Sequence, residues 1–220
     1  MKKTTIYIVR HGESLGNATK TMLGHTNLDL SEHGYKQAEA TCKHLASVHF
    51  DKIYSSDLLR AFNTAKPHAD LRGLEVIPKV GLRELNVGAW EGKHVSEIIQ
   101  NYGDMFEVHW HGGFGTFTFP DGEAVMGAAQ RFYNAVLKIA REDMGKTVLI
   151  GAHAGVIRGF WSIISGVAPE DIVEKIDWPT NASYSICEFD GEKLIPLEYS
   201  NDEHLAEIGI TRVINKQDKK

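Results

Sequence analysis

The stretch TTIYIVRHGES, residues 4–14, leaves an apolar run by way of an arginine, a histidine and a glycine. Thr4 to Val9 is β-branched and aromatic and reads as a strand buried on both faces, the kind found inside a parallel sheet. In open α/β sheets, ligands sit outside the carboxyl ends of the strands. Arg10, His11 and Gly12 occupy that position here, so the residues following each later strand become the informative ones.

Outward from this first strand, helix and strand alternate. Ser31 is the expected N-cap of a helix running to about Val48, with Tyr35, Ala38, Cys42 and Leu45 along one face. Residues 51–56 (DKIYSS) read as a second strand. In the next helix, Asp57 to Ala69, the residues Leu58, Phe62 and Ala65 keep helical spacing and Pro67 predicts a kink or an early end. Residues 74–80 offer a third strand. Between Gly88 and Gly122 the pattern turns irregular, with a short helix over 95–100 and then the aromatic, glycine-rich stretch HWHGGFGTFTF over 109–119.

After this excursion Asp121 is the expected N-cap of a long helix to about Glu142, with Val125, Ala129, Phe132, Val136 and Ile139 on its apolar face. Residues 147–152 give the fourth strand, and a helix begins near Ala154. Residues 183–189 and 193–199 form a hairpin around Asp190 and Gly191, and the terminal NKQDKK is expected to fray. The expected architecture is one α/β domain over 1–220: a three-layer αβα sandwich whose mostly parallel sheet carries an antiparallel edge.

Composition bounds the function. A chain of 220 residues with 42% hydrophobic and 24% charged residues is ordinary for a globular domain, and no run approaches the roughly 18 apolar residues of a membrane span. The apolar segment after Lys2 and Lys3 is shorter than a signal h-region, which points to a cytoplasmic protein. Cys42 and Cys187 lie far apart and are expected as reduced, buried thiols rather than as a disulfide or part of a zinc cluster. A formal net charge of -5 argues against a nucleic-acid surface, so any bound anion must be held by a local cluster. Most of the 11 histidines lack a partner at ligand spacing and are expected at the surface.

Such a cluster is present. Arg10, His11 and Gly12 follow the first strand, Arg60 lies just beyond the second, Glu84 follows the third and His153 the fourth. Singly, each has a common structural explanation as a surface charge or a satisfied polar residue. Together they place two arginines at one sheet end, a mutually repulsive pair stabilised by an anion between them, and planar guanidinium forks suit phosphate oxygens. Neighbouring Arg10 and Arg60 disfavour the imidazolium form of His11, leaving a neutral nitrogen for attack or for base catalysis. Glu84 can act as an acid once it holds a proton, which the negative charge of a bound phosphate favours.

At this point the chain resembles the histidine phosphatase superfamily, the phosphoglycerate-mutase-like proteins. The matching blocks are VRHGES with Asn17, LDLSEHGYKQAE (28–39), IYSSDLLRAFNTA (53–65), LRELNVGAWEG (82–92), PDGEAVMGAAQRF (120–132) and GAHAGVIR (151–158). The RHG triplet alone is weak, but the ordered series covers most of the chain. The resemblance implies a phosphoglycerate-mutase-like fold and a two-step phosphoryl transfer with no metal or cofactor. His11 would become phosphohistidine, Glu84 would protonate the leaving oxygen and then help activate water, and Arg10, Arg60 and His153 would hold the phosphoryl oxygens. Asn17 matches a further phosphate-side donor of the family pattern. Ser14 serves equally well as a helix cap.

Within this family the phosphoryl group can pass to water or to a second substrate hydroxyl. Between Gly88 and Gly122 there is one lysine, Lys93, and no arginine, against Glu91, Glu97, Asp104, Glu107 and Asp121, a poor setting for retaining a bisphosphate. The segment is also shorter than the insertion of the mutase branch. Hydrolysis of a small phosphorylated metabolite is the expected reaction, with cofactor-dependent phosphoglycerate mutase as the alternative. Gly12 and Ala154 are expected beside the substrate. Trp110 and Phe114, with Phe117 and Phe119, are expected to cap its nonphosphate part, with ordinary packing of the excursion as the competing role. Strand-like spacing of His109 and His111 leaves a metal-dependent phosphoesterase conceivable, though no Asp-rich ligand set accompanies them. A noncatalytic phosphate-binding module is the remaining alternative. The substrate itself, whether sugar phosphate, cobamide nucleotide-loop phosphate or phosphoglycerate, stays open. So does oligomeric state, with a homodimer compatible.

Overall fold

In the computed structural model, which describes residues 2–211, the opening strand is β1 (Thr4–Arg10) and the chain then runs α1 (Leu15–Ala18), α2 (Glu32–His44), β2 (Lys52–Ser55), α3 (Leu59–Arg72) and β3 (Val76–Pro78). It continues through α4 (Val95–Glu107), α5 (Val125–Glu142), β4 (Thr147–Ala152), α6 (Ala154–Ser165), α7 (Ile172–Lys175), β5 (Tyr184–Phe189) and β6 (Leu194–Asn201). The six strands form one sheet in the order β3-β2-β4-β1-β5-β6. The first four strands in that order are mutually parallel, and the β5–β6 hairpin supplies the antiparallel edge. The expected fold class holds. The expected fraying of NKQDKK lies outside the described residues.

Alternation along β1 sends Ile6 and Ile8 into one apolar layer with α5 and α6, and Val9 into the other with α3. Helix α5 presents Val125, Ala129, Phe132, Val136 and Ile139 as anticipated, all buried. In α2, Ser31 caps through its hydroxyl, which accepts from Gly34 N–H. Tyr35 departs from the anticipated face: it is exposed and its hydroxyl donates to Asp29, while Gly34, Gln37, Ala38, Thr41 and Cys42 carry the buried side. Both cysteines are free and buried.

Three local expectations need correction. Pro67 neither ends nor breaks α3, which continues to Arg72 and stops at Gly73 in the left-handed conformation. Asp121 is not an N-cap: residues 119–123 are used in a tight turn with Asp121 at φ 55°, so α5 starts after Ala124 without a side-chain cap. The short helix at 95–100 extends to Glu107 and runs into a π-helical turn at Val108–Gly112. His109 and His111 therefore share no strand face. His109 is buried, whereas His111 is exposed and lies 3.6 Å from Glu107. Among the described residues no helix is long and apolar enough to cross a membrane.

Candidate active site

Parallel pairing of β1 with β4 sets the centre of the site. Arg10 is in register with Ala152, so His11 and His153, the next residue of each strand, are neighbours, with ring centroids 5.2 Å apart. His11 N–H donates to Ala152 O at 2.9 Å, continuing the ladder one residue past β1. His11 Nδ1 lies 2.7 Å from Gly12 O. A carbonyl only accepts, so Nδ1 carries the proton and the Nε2 lone pair is free. Both ring nitrogens of His153 are buried and without a partner among the described residues.

Two arginines flank this pair, one from each neighbouring segment. Arg10 donates to Pro179 O through Nη1 at 2.6 Å, and its buried Nε has no partner. Arg60, in the first turn of α3, donates to Thr26 O and Gly24 O at 2.9 and 2.7 Å. That loop is itself fixed by Glu91, whose carboxylate accepts from His25 N–H, Thr26 N–H and the Thr26 hydroxyl. The arginines are 1% and 2% exposed, and neither is ion-paired among the described residues. Two buried guanidinium groups held only by carbonyls have the charge and geometry that suit an anion.

Glu84 joins the same centre, close enough to both arginines for its charge to act on them. Its carboxylate accepts three backbone N–H bonds, from Leu85, Gly155 and Val156, each 3.0 Å. Glycine at 155 leaves room for this approach, since a Cβ there would stand 2.8 Å from Glu84 Oε1 and 2.5 Å from Leu85 Cδ1 and would push these side chains from their present positions. The backbone of Glu84 is anchored by Arg131, which donates to its carbonyl and to those of Gly81 and Arg83 while pairing with Glu123.

Burial dominates the electrostatics. It pushes the pKa of His11 well below the ordinary imidazole value, with Arg60 and Arg10 adding to the effect. Burial acts likewise on His153, reinforced by Arg60 and His11. Arg10 and Arg60 are each lowered by burial to about 10, against the favourable field of Glu84, and stay charged at neutral pH. The centre thus pairs two cations with two neutral imidazoles.

His11, both arginines and Glu84 open into a cavity of about 760 Å³, far larger than a phosphate. Arg10, His11, Asn17, Arg60, Glu84 and Ala154 line one pole. Asn17 Oδ1 is occupied by Ser14 N–H and the Ser14 hydroxyl, whereas its Nδ2 has no partner among the described residues. The far wall is largely apolar, with Leu23, Ile99, Phe106, Trp110, Phe119 and Trp178 among its residues. Four expected contacts do not line the cavity: Gly12, Phe114, Phe117 and His153, the last fully buried beside His11. Gly12 allows the backbone crossing of Gly34, whose oxygen would stand 2.4 Å from an added Cβ, and its N–H donates to Thr64. Phe114 is fully buried behind the wall, packed edge-on against Trp178 and over the Arg158 guanidinium.

Comparison with known proteins matches this arrangement. The family model of the histidine phosphatase superfamily (branch 1) covers residues 6–202. The chain belongs to the histidine phosphatase superfamily. It is 30% identical to phosphoserine phosphatase 1 of Hydrogenobacter thermophilus over 203 residues, covering 92% of this chain and 94% of that protein. It is also 30% identical to the 2,3-bisphosphoglycerate-dependent phosphoglycerate mutase of Bartonella tribocorum, over 78% of this chain and 86% of that one. Among solved structures, YhfR of Bacillus stearothermophilus superposes with a TM-score of 0.86 at 29% identity, covering 92% of this chain and 99% of that chain.

Several residues of this superfamily member lay beyond sequence reasoning. Lys20 lines the cavity from a left-handed backbone conformation, φ 53°, in a loop whose bridge to residues 92–95 builds one wall. Trp178 comes from an unremarked segment, and its ring lies 4.9 Å from that of Trp110. His109 sits among Trp90, Trp110, Phe114, Phe117 and Phe119, a packing that its strand-like spacing from His111 did not suggest. The block PDGEA with Arg131 carried a usable signal for the Glu84 support, because its acid and base lie eight residues apart and pair across the start of α5.

Proposed function

We propose that this member of the superfamily is a phosphomonoester hydrolase that works through a phosphohistidine on a small phosphorylated metabolite. The observation that carries this reading is a neutral His11, with Nε2 unprotonated, beside two buried arginines that lack carboxylate partners. In the first step Nε2 attacks phosphorus, the ester P–O bond breaks, and Glu84 gives its proton to the leaving oxygen. In the second, water attacks phosphorus as Glu84 takes up the water proton, and the N–P bond breaks. Arg10, Arg60, Asn17 Nδ2 and the single N–H of neutral His153, a ring with no other partner among the described residues, bear the charge on the phosphoryl oxygens, so the chain's own donors supply the positioning and electrostatic stabilisation.

Hydrolysis rather than mutation of a phosphoglycerate is supported by the far wall. Its cations are few: Lys20 stands at the exposed edge, and buried Arg158 donates through Nε and Nη2 to Ile176 O and Ile172 O, leaving only Nη1 without a partner among the described residues. An apolar wall holds the body of a monoester but gives a reorienting bisphosphate little to bind. The deciding assay is a phosphomonoester panel that includes phosphoserine, aryl phosphates and phosphoglycerates with and without 2,3-bisphosphoglycerate. Phosphate release should exceed isomerisation on every member. Isomerisation stimulated above phosphate release would instead assign the mutase activity.

The role of Glu84 is tested by leaving-group dependence. Glu84→Gln can keep an acceptor for Leu85 and Val156 N–H but turns its NH₂ to Gly155 N–H, and it has no proton to transfer, so hydrolysis of alkyl phosphates should fall on the order of 10²-fold. p-Nitrophenyl phosphate, whose leaving group needs no acid, should lose less than about tenfold. Equal losses on both would remove Glu84 from the acid role.

A further inference from the structure

One polar network reaches the phosphate pole from behind and is used by no step above. Asn181 is fully buried, and its Nδ2 donates to Asn17 Oδ1 at 3.1 Å and to His11 O at 3.2 Å. Its Oδ1 accepts from the Thr211 hydroxyl at 3.2 Å, and its backbone N–H donates to Thr211 O at 3.0 Å. Thr211 Oγ1 in turn accepts from Gln37 Nε2, which also donates to Gly209 O. Gln37 Oε1 closes the circuit by accepting Glu13 N–H at 2.8 Å. Every link has one sense: Glu13 N–H to Gln37, Gln37 to Thr211, Thr211 to Asn181, and Asn181 to Asn17.

That polarity determines which end of Asn17 faces the cavity. Three donors converge on its Oδ1, from Ser14 N–H, the Ser14 hydroxyl and Asn181 Nδ2, so the amide oxygen is held inward and Nδ2 is left for a ligand. If the amide turned over, an oxygen would meet the phosphate and Asn181 Nδ2 would meet an NH₂ group. His11 O is less dependent on Asn181, because it also accepts from Ala182 N–H at 3.2 Å. We propose that Asn181 is a positioning residue for phosphate binding that acts through Asn17, and that the C-terminal stretch Gly209–Thr211 is part of the support of the site. The inference rests on the phosphate-binding part of the proposed function and is independent of whether hydrolysis follows.

The test is a double-mutant cycle read by calorimetric binding of inorganic phosphate to the full chain, a measurement that needs no turnover. Asn181→Leu removes both donors while keeping the branching and heavy-atom count of the side chain and adding no charge. In the Asn17 background it should weaken phosphate binding about tenfold, the scale of one lost hydrogen bond to a charged group. In the Asn17→Ala background the same change should cost less than about twofold. Thr211→Val, which leaves Asn181 Oδ1 without its hydroxyl donor, should weaken phosphate in the same direction by about threefold and supplies the result should Asn181→Leu fail to fold. Equal losses in both backgrounds, or unchanged affinity in Asn181→Leu and Thr211→Val, would overturn the inference. Wild-type protein that binds no phosphate would overturn the proposed function as well, whereas a phosphate site lost on Asn17→Ala but indifferent to Asn181 would overturn the inference alone.

Discussion

His11→Ala is expected to lower turnover of every phosphomonoester at least about 10⁴-fold, the scale on which removal of a covalent nucleophile acts. Nothing nearby can replace it. His153 lies beside it, with ring centroids 5.2 Å apart, but follows a different strand and would have to attack from a different direction. Inorganic phosphate should still bind the variant, because Arg10 and Arg60 are held by Pro179, Thr26 and Gly24 carbonyls rather than by the imidazole. Binding kept while turnover disappears separates loss of the nucleophile from collapse of the site. Steady-state rates beside phosphate titration check both halves, and a variant with a near-normal rate would rule out the phosphohistidine route.

The second large effect concerns acid stability. His68 and His109 are buried, and burial, helped by Arg72 near the first and Arg158 near the second, lowers each from 6.5 to about 3. In the unfolded chain each takes up a proton near its ordinary pKa, whereas in the folded chain it does not until about 3. The stability that accompanies the neutral rings is therefore complete above that ordinary value and is lost as pH falls towards the folded value. Each histidine should cost about 2 kcal/mol by about pH 5, or about 4 kcal/mol for the pair. His11 and His153 act in the same sense. His68→Leu should recover its share at low pH, because that ring packs edge-on to Phe50 with neither nitrogen bonded. Urea midpoints at neutral and acidic pH measure the difference, and parallel midpoint shifts in variant and wild type would refute the assignment.

The fold was legible because its strands are short apolar runs and its strand-end residues are chemically unusual. Arg10, His11, Arg60, Glu84 and His153 could be gathered from sequence by assuming that strand ends converge, an assumption independent of side-chain detail. The far wall was not legible on the same grounds. A π-helical turn sets the directions of His109 and Trp110, and neither strand nor helix periodicity describes it. Asp121 misled because the residues that favour N-caps also favour tight turns. Asn181 gave no signal, since a lone asparagine after Pro179-Thr180 carries no periodicity and its importance comes from partners up to 170 residues away.

The pairing of Arg10 with Ala152 has a consequence for redesign. The spacing of His11 and His153 is set by a backbone ladder, and a slip of one residue would displace one ring by about 3.3 Å and turn it to the other face of the sheet. No exchange of side chains rewrites that ruler. The cavity's far wall is defined by side chains such as Trp110, Phe106 and Ile99, so almost any exchange there alters it. The strand-end alignment and the shape of the wall are thus encoded in separable layers of the molecule, and libraries that vary the wall can leave that alignment untouched.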